Sequence, residues 1–287
     1  MSIRVRELMR GEPAEGGRLP GLPPSLRDLM AARESAGTGA ADAETGPVVG
    51  MFLSSGDATA AEICAGAGFD YLLIDGEHSP LSLETIQGQL RAVSGCPTIP
   101  VVRVPANDEV LIKQYLDLGA QSLIVPMVDT VEQTQRAARA VAYPSEGIRG
   151  VGAALARSAR WGRVPDYLGQ ARRSISLIVQ AESATGIENI GEIAAVDGVD
   201  GIFVGPSDLS ASMGLLGQQT HPEVVSAVQH VIDAAHAAHR FVGVNAFSRE
   251  QAQAYADAGA DFVNVTADVA LLARAAEEQA AAWGLQR

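Results

Sequence analysis

Between residues 72 and 80 the chain reads LLIDGEHSP, an apolar run that breaks off into Asp75, Glu77 and His78. A turn there needs only Gly76 and Pro80, so two acids and an imidazole ask for a further reason. Asp75 precedes His78 by three residues, a spacing at which a carboxylate can fix an imidazole tautomer and raise its basicity, as a general base requires. A hydrogen-bonded structural histidine is the plainer alternative, and a solvated turn residue is the plain reading of Glu77. Other ionisable groups end or interrupt other apolar runs. Arg103 lies inside VVRVP, where it needs an anionic partner, because an unpaired buried charge is very costly. That partner is either a structural carboxylate or a bound substrate. Gln180 and Glu182 close LIVQAES, and Asp208 follows the tight turn of VGPSDLS. Two hard carboxylates with waters suit Mg2+ or Mn2+ when a substrate adds oxygens, although two acids alone specify little. TGIE has the form of a capping box using Thr185 and Glu188, which leaves Glu182 unexplained. Beyond Gly205 and Pro206, the amides of Ser207 and Asp208 open a helix and suit a carboxylate or phosphate. Asp129, in DTVE, reads as an N-cap and is given no chemistry.

These groups need a scaffold that brings strand ends together. Eight short, β-branched runs read as buried strands: 48–53, 71–74, 99–104, 122–128, 176–180, 201–205, 241–246 and 261–265. Most intervals hold a helical segment, such as NDEVLIKQYLDLGA and REQAQAYADAGA, with Gly119 and Gly259 set as stops. A unit recurs in GAGFDYLLID, DLGAQSLIVP, VDGVDGIFVG and DAGADFVNVT: a glycine where a helix should end, then a strand. The expectation is a (β/α)8 TIM barrel over residues 46–287, with its chemistry at the carboxyl-terminal strand ends. A doubly wound sheet is the runner-up, weakened because no G-x-G-x-x-G follows the first strand. Residues 1–45, rich in Gly, Pro, Ala, Arg and Glu, read as a flexible or loosely docked extension with one short helix in SLRDLMAARESAG.

The totals exclude several functions. With 21 basic against 34 acidic residues, the formal charge of −13 argues against a nucleic-acid or anionic-membrane surface. No apolar run approaches the roughly 20 residues of a membrane span, and the N-terminus lacks a secretory core. Cys64 and Cys96 cannot build a disulfide framework, which fits a reducing compartment. A cytoplasmic protein is expected. Lys113 is the only lysine in the chain and sits inside a predicted helix, so a lysine Schiff base is disfavoured.

Taken in order, FDYLLIDGEHSP (69–80), PVVRVP (100–105), IKQYLDLGAQSLIVPMVDTVEQ (112–133), GIRGVGAALARSARWG (147–162), LIVQAES (177–183) and GVDGIFVGPSDLSASMG (198–214) resemble the HpcH/HpaI aldolase family. These are metal-dependent (class II) pyruvate aldolases on a TIM barrel. The resemblance implies reversible cleavage of a 4-hydroxy-2-oxo acid to pyruvate and an aldehyde through an enolate. It implies that Glu182 and Asp208 hold a divalent ion (Mg2+, Mn2+ or Co2+) and that the amides of Ser207 and Asp208 bind the pyruvate carboxylate, with Gln180 in support. It implies that Arg103 stabilises the enolate oxygen and that His78, paired with Asp75, is the base on the 4-hydroxyl. Asp117 matches a family acid near that pair and a subunit interface. A homo-oligomer, a dimer-based hexamer, is implied as well.

Two features depart from the pattern. The 45-residue extension is not part of it, and the segment carrying Arg157, Arg160 and Trp161 falls where family members vary and the aldehyde should bind. That segment reads either as a lid or anion contact, or as a solvated basic loop. Competing readings are a decarboxylase or CoA-thioester lyase of the same superfamily, and a non-catalytic oxo-acid-binding paralogue. His78 weighs against simple decarboxylation, no basic cluster for CoA is evident, and Glu182, Asp208 and Arg103 are all present.

Overall fold

The computed structural model describes Leu8, residues 19–35 and residues 46–285. Strands β1 (Val48–Leu53), β2 (Tyr71–Asp75), β3 (Ile99–Arg103), β4 (Ser122–Val125), β5 (Ser176–Ala181), β6 (Gly201–Val204), β7 (Phe241–Asn245) and β8 (Phe262–Ala267) pair in parallel, each with the next, and β8 closes on β1. The open-sheet alternative is thereby excluded.

Side chains of a strand alternate between two faces, so each strand sends one set inward to fill the barrel and one outward to the helices. Tyr71, Leu73, Ile99, Val101, Ile124, Ile178, Phe203 and Phe262 pack together inside. Leu72, Ile74, Val102, Leu123, Leu177 and Val179 pack with the helices. The same alternation places Asp75, Arg103 and Gln180, two residues beyond Leu73, Val101 and Ile178, on the inner set at the strand ends. Register completes the alignment, because Asp75 stands opposite Arg103 on the adjacent strand.

β4 ends at Val125, short of the expected Val128. Pro126 cannot donate to the ladder, and Met127 turns into the left-handed region at φ 53°. Two predicted helix starts also move. The cap after β4 is Thr130, reciprocated by Gln133, rather than Asp129. The cap after β5 is Ser183, whose hydroxyl accepts from the Gly186 amide at 2.9 Å, rather than Thr185.

The described part of the N-terminal extension is not loosely docked. Ser25 and Asp28 cap each other reciprocally at the start of the helix Leu26–Ser35. Leu26 and Leu29, 0% and 1% exposed, join the inner core beside Val48 and Ile99. Burying two leucines is worth about 3–6 kcal/mol at most. Polar contacts fix the register: the Leu26 amide donates to Ser122 Oγ at 2.9 Å, and Arg27 pairs with Asp200 at 3.0 Å. The helix closes the floor of the barrel, the end opposite the predicted chemistry. The remaining residues of the extension lie outside the described set. Among the described residues no helix is long and apolar enough to cross a membrane.

Candidate active site

The β2 turn is built around Gly76. A Cβ there would stand 2.6 Å from the Arg103 carbonyl oxygen, which instead accepts the Gly76 amide at 2.9 Å. This close approach carries the chain over β3 and sets Asp75, Glu77 and His78 around Arg103.

Arg103 is buried, and its Nε donates to Asp75 Oδ1 at 2.9 Å while Nη1 lies 3.0 Å from Glu77 Oε2. The second contact is an ion pair by distance without hydrogen-bond alignment. The guanidinium carbon sits 5.2 Å from the centre of the Phe52 ring, a cation–π contact. Nε and Nη1 are thus taken, and Nη2 has no protein partner among the described residues. Burial pushes the Asp75 carboxyl up, but the Arg103 hydrogen bond and charge, with the amides of Glu77 and His78, outweigh it and hold the group below its usual range. Burial, reinforced by the charges of Asp75 and Asp208 and opposed by Arg103, leaves Glu77 above its usual range.

The predicted Asp75–His78 pair takes another form. The Asp75 carboxylate accepts the His78 backbone amide at 3.3 Å, not its ring. A carboxylate three residues back satisfies the turn amides, and the imidazole points outward, 62% exposed, with Nε2 3.8 Å from Glu77 Oε2. Glu77, which sequence reasoning left as a turn residue, is therefore the acid beside His78 and the second partner of Arg103. Its place in the same turn as His78 was the available signal.

The other wall comes from β5 and β6. Glu182, 2% exposed, accepts the Met127 amide at 3.0 Å, a contact made possible by the left-handed turn after β4. It also accepts Gln180 Nε2. Burial first, then the charges of Glu77 and Asp208, push its carboxyl up to about 7 against the stabilising amide of Met127. Those same charges tie the two walls together electrostatically. A Cβ on Gly205 would come within 2.8 Å of Glu182 Oε2 and 3.1 Å of Gln180 Nε2, so the missing side chain leaves a hollow at the carboxylate. Gln180 Oε1 is buried and has no partner among the described residues. No side chain caps the helix Pro206–Ser212 that carries Ser207 and Asp208.

A cleft of about 440 Å³ opens between these walls, lined by Asp75, His78, Arg103, Gln180, Ser207 and Asp208, with Phe52, Phe203, Phe247 and Val269 as its apolar side. Among the described residues no group of three His, Cys, Asp or Glu side chains could hold a metal by itself. Glu182 and Asp208 are nevertheless a fitting pair for a small hard cation that takes its other oxygens from substrate and water. The raised carboxyl, the hollow at Gly205 and the spare Gln180 acceptor all suit positive charge at this wall.

Two sequence expectations fall elsewhere. Asp117 ends the helix Glu109–Asp117 and is not among the cleft residues; its Oδ1 lies 2.7 Å from Nη2 of the fully buried Arg149. Arg149, missed in the sequence, also stacks 4.6 Å from the Tyr143 ring centre. The segment of Arg157, Arg160 and Trp161 does not reach the cleft either. Arg157 donates to the carbonyl oxygens of Leu118 and Leu90, at the ends of helices that run back to the barrel floor.

A closed barrel with acids, an arginine and a histidine converging at the strand ends belongs to the class of barrel enzymes that work from that face. Residues 48–275 match the HpcH/HpaI aldolase/citrate lyase family, and the chain belongs to it. It is 52% identical over 237 residues to a hydroxypyruvate/pyruvate aldolase of Deinococcus radiodurans, covering 83% of this chain and 86% of that one. It is 46% identical over 241 residues to a 4-hydroxy-2-oxo-heptane-1,7-dioate aldolase of Salmonella newport, covering 84% and 92%. A solved HpcH/HpaI aldolase/citrate lyase family protein from Burkholderia cenocepacia superposes with a TM-score of 0.79 at 41% identity, covering 82% and 93%. The chain is an aldolase, a carbon–carbon lyase.

Proposed function

We propose that this aldolase cleaves 4-hydroxy-2-oxo acids to pyruvate and an aldehyde, with Arg103 and a divalent ion holding the charge that develops. The observation that carries the reading is one cleft lined by a buried arginine with a nitrogen to spare and, on the facing wall, by Asp208 and by Gln180, whose amide binds the buried carboxylate of Glu182. Names carried by relatives at 46% and 52% identity support the substrate class.

The substrate carboxylate sits against the uncapped amides of Ser207 and Asp208, where backbone donors suit an anion. Gln180 braces Glu182, and Glu182 with Asp208 forms the seat for the ion. When bound, the ion supplies positive charge at the substrate's 2-oxo end. Arg103 directs Nη2 to the 2-oxo oxygen, and Asp75 and Glu77 fix its orientation, so this donor is set before charge appears. His78, at the rim, takes the proton of the 4-hydroxyl. The C3–C4 bond then breaks, the aldehyde leaves, and its bonding pair becomes the enolate that Arg103 stabilises. A proton from solvent is then added at C3, while the exposed His78 gives up to solvent the one it took, and pyruvate is complete. Phe52, Phe247 and Val269 offer the departing aldehyde an apolar wall. Asp117 has no part in this within one chain; its proposed role beside His78 belongs to a homo-oligomer, in which a neighbouring copy would supply it.

The test is pyruvate release from a panel of 4-hydroxy-2-oxo acids after EDTA treatment and after restoring Mg2+, Mn2+ or Co2+. Activity is expected only with metal. Turnover that survives chelation would overturn the ion's role, and Lys113 would then have to be reconsidered.

A further inference from the structure

We infer that the barrel floor carries a second binding site, which takes a small molecule bearing phosphate groups. A cleft of about 590 Å³ opens there between Arg91, Arg157, Arg160 and Trp161 on one side and Pro23 and Pro24 on the other. It is separate from the catalytic mouth: it abuts the ends of two helices, at Leu90 and Leu118, and a smaller hollow beside it reaches Thr98 and Pro100, where β3 begins.

The charge pattern is the main argument. The chain carries 34 acids against 21 basic residues, yet among the described residues no acid lines this cleft and none forms an ion pair with its three arginines. A half-buried arginine ordinarily finds a carboxylate. Helix ends account for part of the cluster, since a cation is favourable near a helix C-terminus and Arg157 binds the Leu90 and Leu118 carbonyls. They do not account for Arg160, whose Nη1 reaches only the Arg157 carbonyl at 2.9 Å. Arg157 is in turn pushed down to about 10 by burial and by the charges of Arg160 and Arg91. The backbone bears the cost as well: Arg160 and Trp161 are both left-handed, at φ 50° and 57°, a conformation that non-glycine residues adopt at an energetic cost. Arg157 spends its two terminal nitrogens on carbonyls, but Arg91, which is exposed, and Arg160, with only Nη1 engaged, line the same space, and together the three charges suit an anion of more than one charge. Trp161, 52% exposed, presents a face to which a planar group can stack.

The site is independent of the catalytic reading, and its test can be kept apart from it. Trp283→Phe leaves Trp161 as the sole tryptophan of the full-length protein. Its emission, with calorimetry in parallel, is followed against inorganic phosphate, pyrophosphate and ATP, each with Mg2+ and with EDTA. Pyrophosphate and ATP are expected to bind in both conditions, more weakly as salt rises. Affinity should fall about tenfold or more in Arg91→Ala and in Arg160→Gln, with pyruvate release by Arg91→Ala unchanged. An advantage of ATP over pyrophosphate that disappears in Trp161→Leu supports the stacking; equal affinities overturn that part alone. Binding abolished by EDTA would assign the anion to the mouth. That result, binding indifferent to both arginine substitutions, or no binding of any of the three at low ionic strength, overturns the site.

Discussion

Replacing Arg103 with methionine removes the one cation held between two largely buried carboxylates, Asp75 and Glu77, whose side chains are 5% and 15% exposed. Breaking a buried ion pair from one side costs about 3–5 kcal/mol, against a total stability on the order of 5–15 kcal/mol. Arg103→Met should therefore be severely destabilised, and its inactivity alone would teach little. The informative variant adds Asp75→Asn and Glu77→Gln, exchanging all three charges for neutral groups of similar shape. Stability should return to within about 2 kcal/mol of wild type, since a buried ion cluster is close to break-even against neutral replacements. Activity should not return, because the donor to the developing oxyanion is gone, a loss of about 10²–10³ in kcat. Arg103→Lys gives the complementary case. It keeps the charge but not the fork that serves Asp75, Glu77 and the cleft together, so most stability should survive and most of kcat should not. Urea unfolding gives the first quantity and a coupled assay for pyruvate the second. A triple variant with near-native stability and kcat within a few-fold of wild type would refute the argument, leaving Arg103 as a counter-ion only.

Other consequences follow from the same geometry. Gly205→Ala puts a methyl 2.8 Å from Glu182 Oε2; its φ of −101° brings no backbone strain, so the melting temperature should hold while kcat/KM falls about tenfold or more as the carboxylate is displaced. Leu26→Ala should cost about 2–5 kcal/mol in urea unfolding, whereas a loosely attached extension would lose almost nothing. The hydrogen bond that His236 Nε2 donates to the Asp261 carboxylate, 3.0 Å away, raises the pKa of His236 against the opposing effect of burial. Its contribution is then fully present below the unfolded value of about 6.5 and fades as pH rises through the folded value. The melting-temperature gap between wild type and His236→Gln should accordingly be wider at acidic than at alkaline pH, and a constant gap would rule this linkage out.

The barrel was legible because its strands are short, buried runs whose lengths differ from those of the helices between them. The β4 end was not, since the left-handed turn at Met127 leaves no mark in an apolar run, and that turn delivers the amide that holds Glu182. Arg103 announced a partner without identifying it. Only the register of β2 and β3, Asp75 opposite Arg103, decides for a structural carboxylate as first contact, while the spare nitrogen keeps a substrate role open. Spacing misled at His78. An acid three residues before a histidine can reach its ring or the turn's amides, and here the amides win. The floor was hidden for a different reason: Leu26 and Leu29 lie in a segment whose composition reads as solvated, and their burial depends on a hole that only the closed barrel creates.

The charge at the mouth implies an order of events. Four carboxyl groups, Asp75, Glu77, Glu182 and Asp208, gather at the mouth, and among the described residues Arg103 is the one permanent cation that forms ion pairs with any of them. The substrate is itself an anion, and a low-dielectric cleft magnifies like-charge repulsion. Burial and the neighbouring acids already push Glu182 up to about 7, so the wall meant to receive the 2-oxo end is short of positive charge before anything binds. A divalent cation at Glu182 and Asp208 would offset this local excess of acid where the 2-oxo end arrives, and a monoanion can then approach. The cation should therefore bind first and the oxo acid second, with pyruvate affinity collapsing in EDTA while cation affinity without pyruvate remains measurable. Calorimetric titration of pyruvate into the full chain, with and without Mn2+, separates the two. Pyruvate binding of equal strength in EDTA would mean that the Ser207 and Asp208 amides and Arg103 overcome the acids unaided.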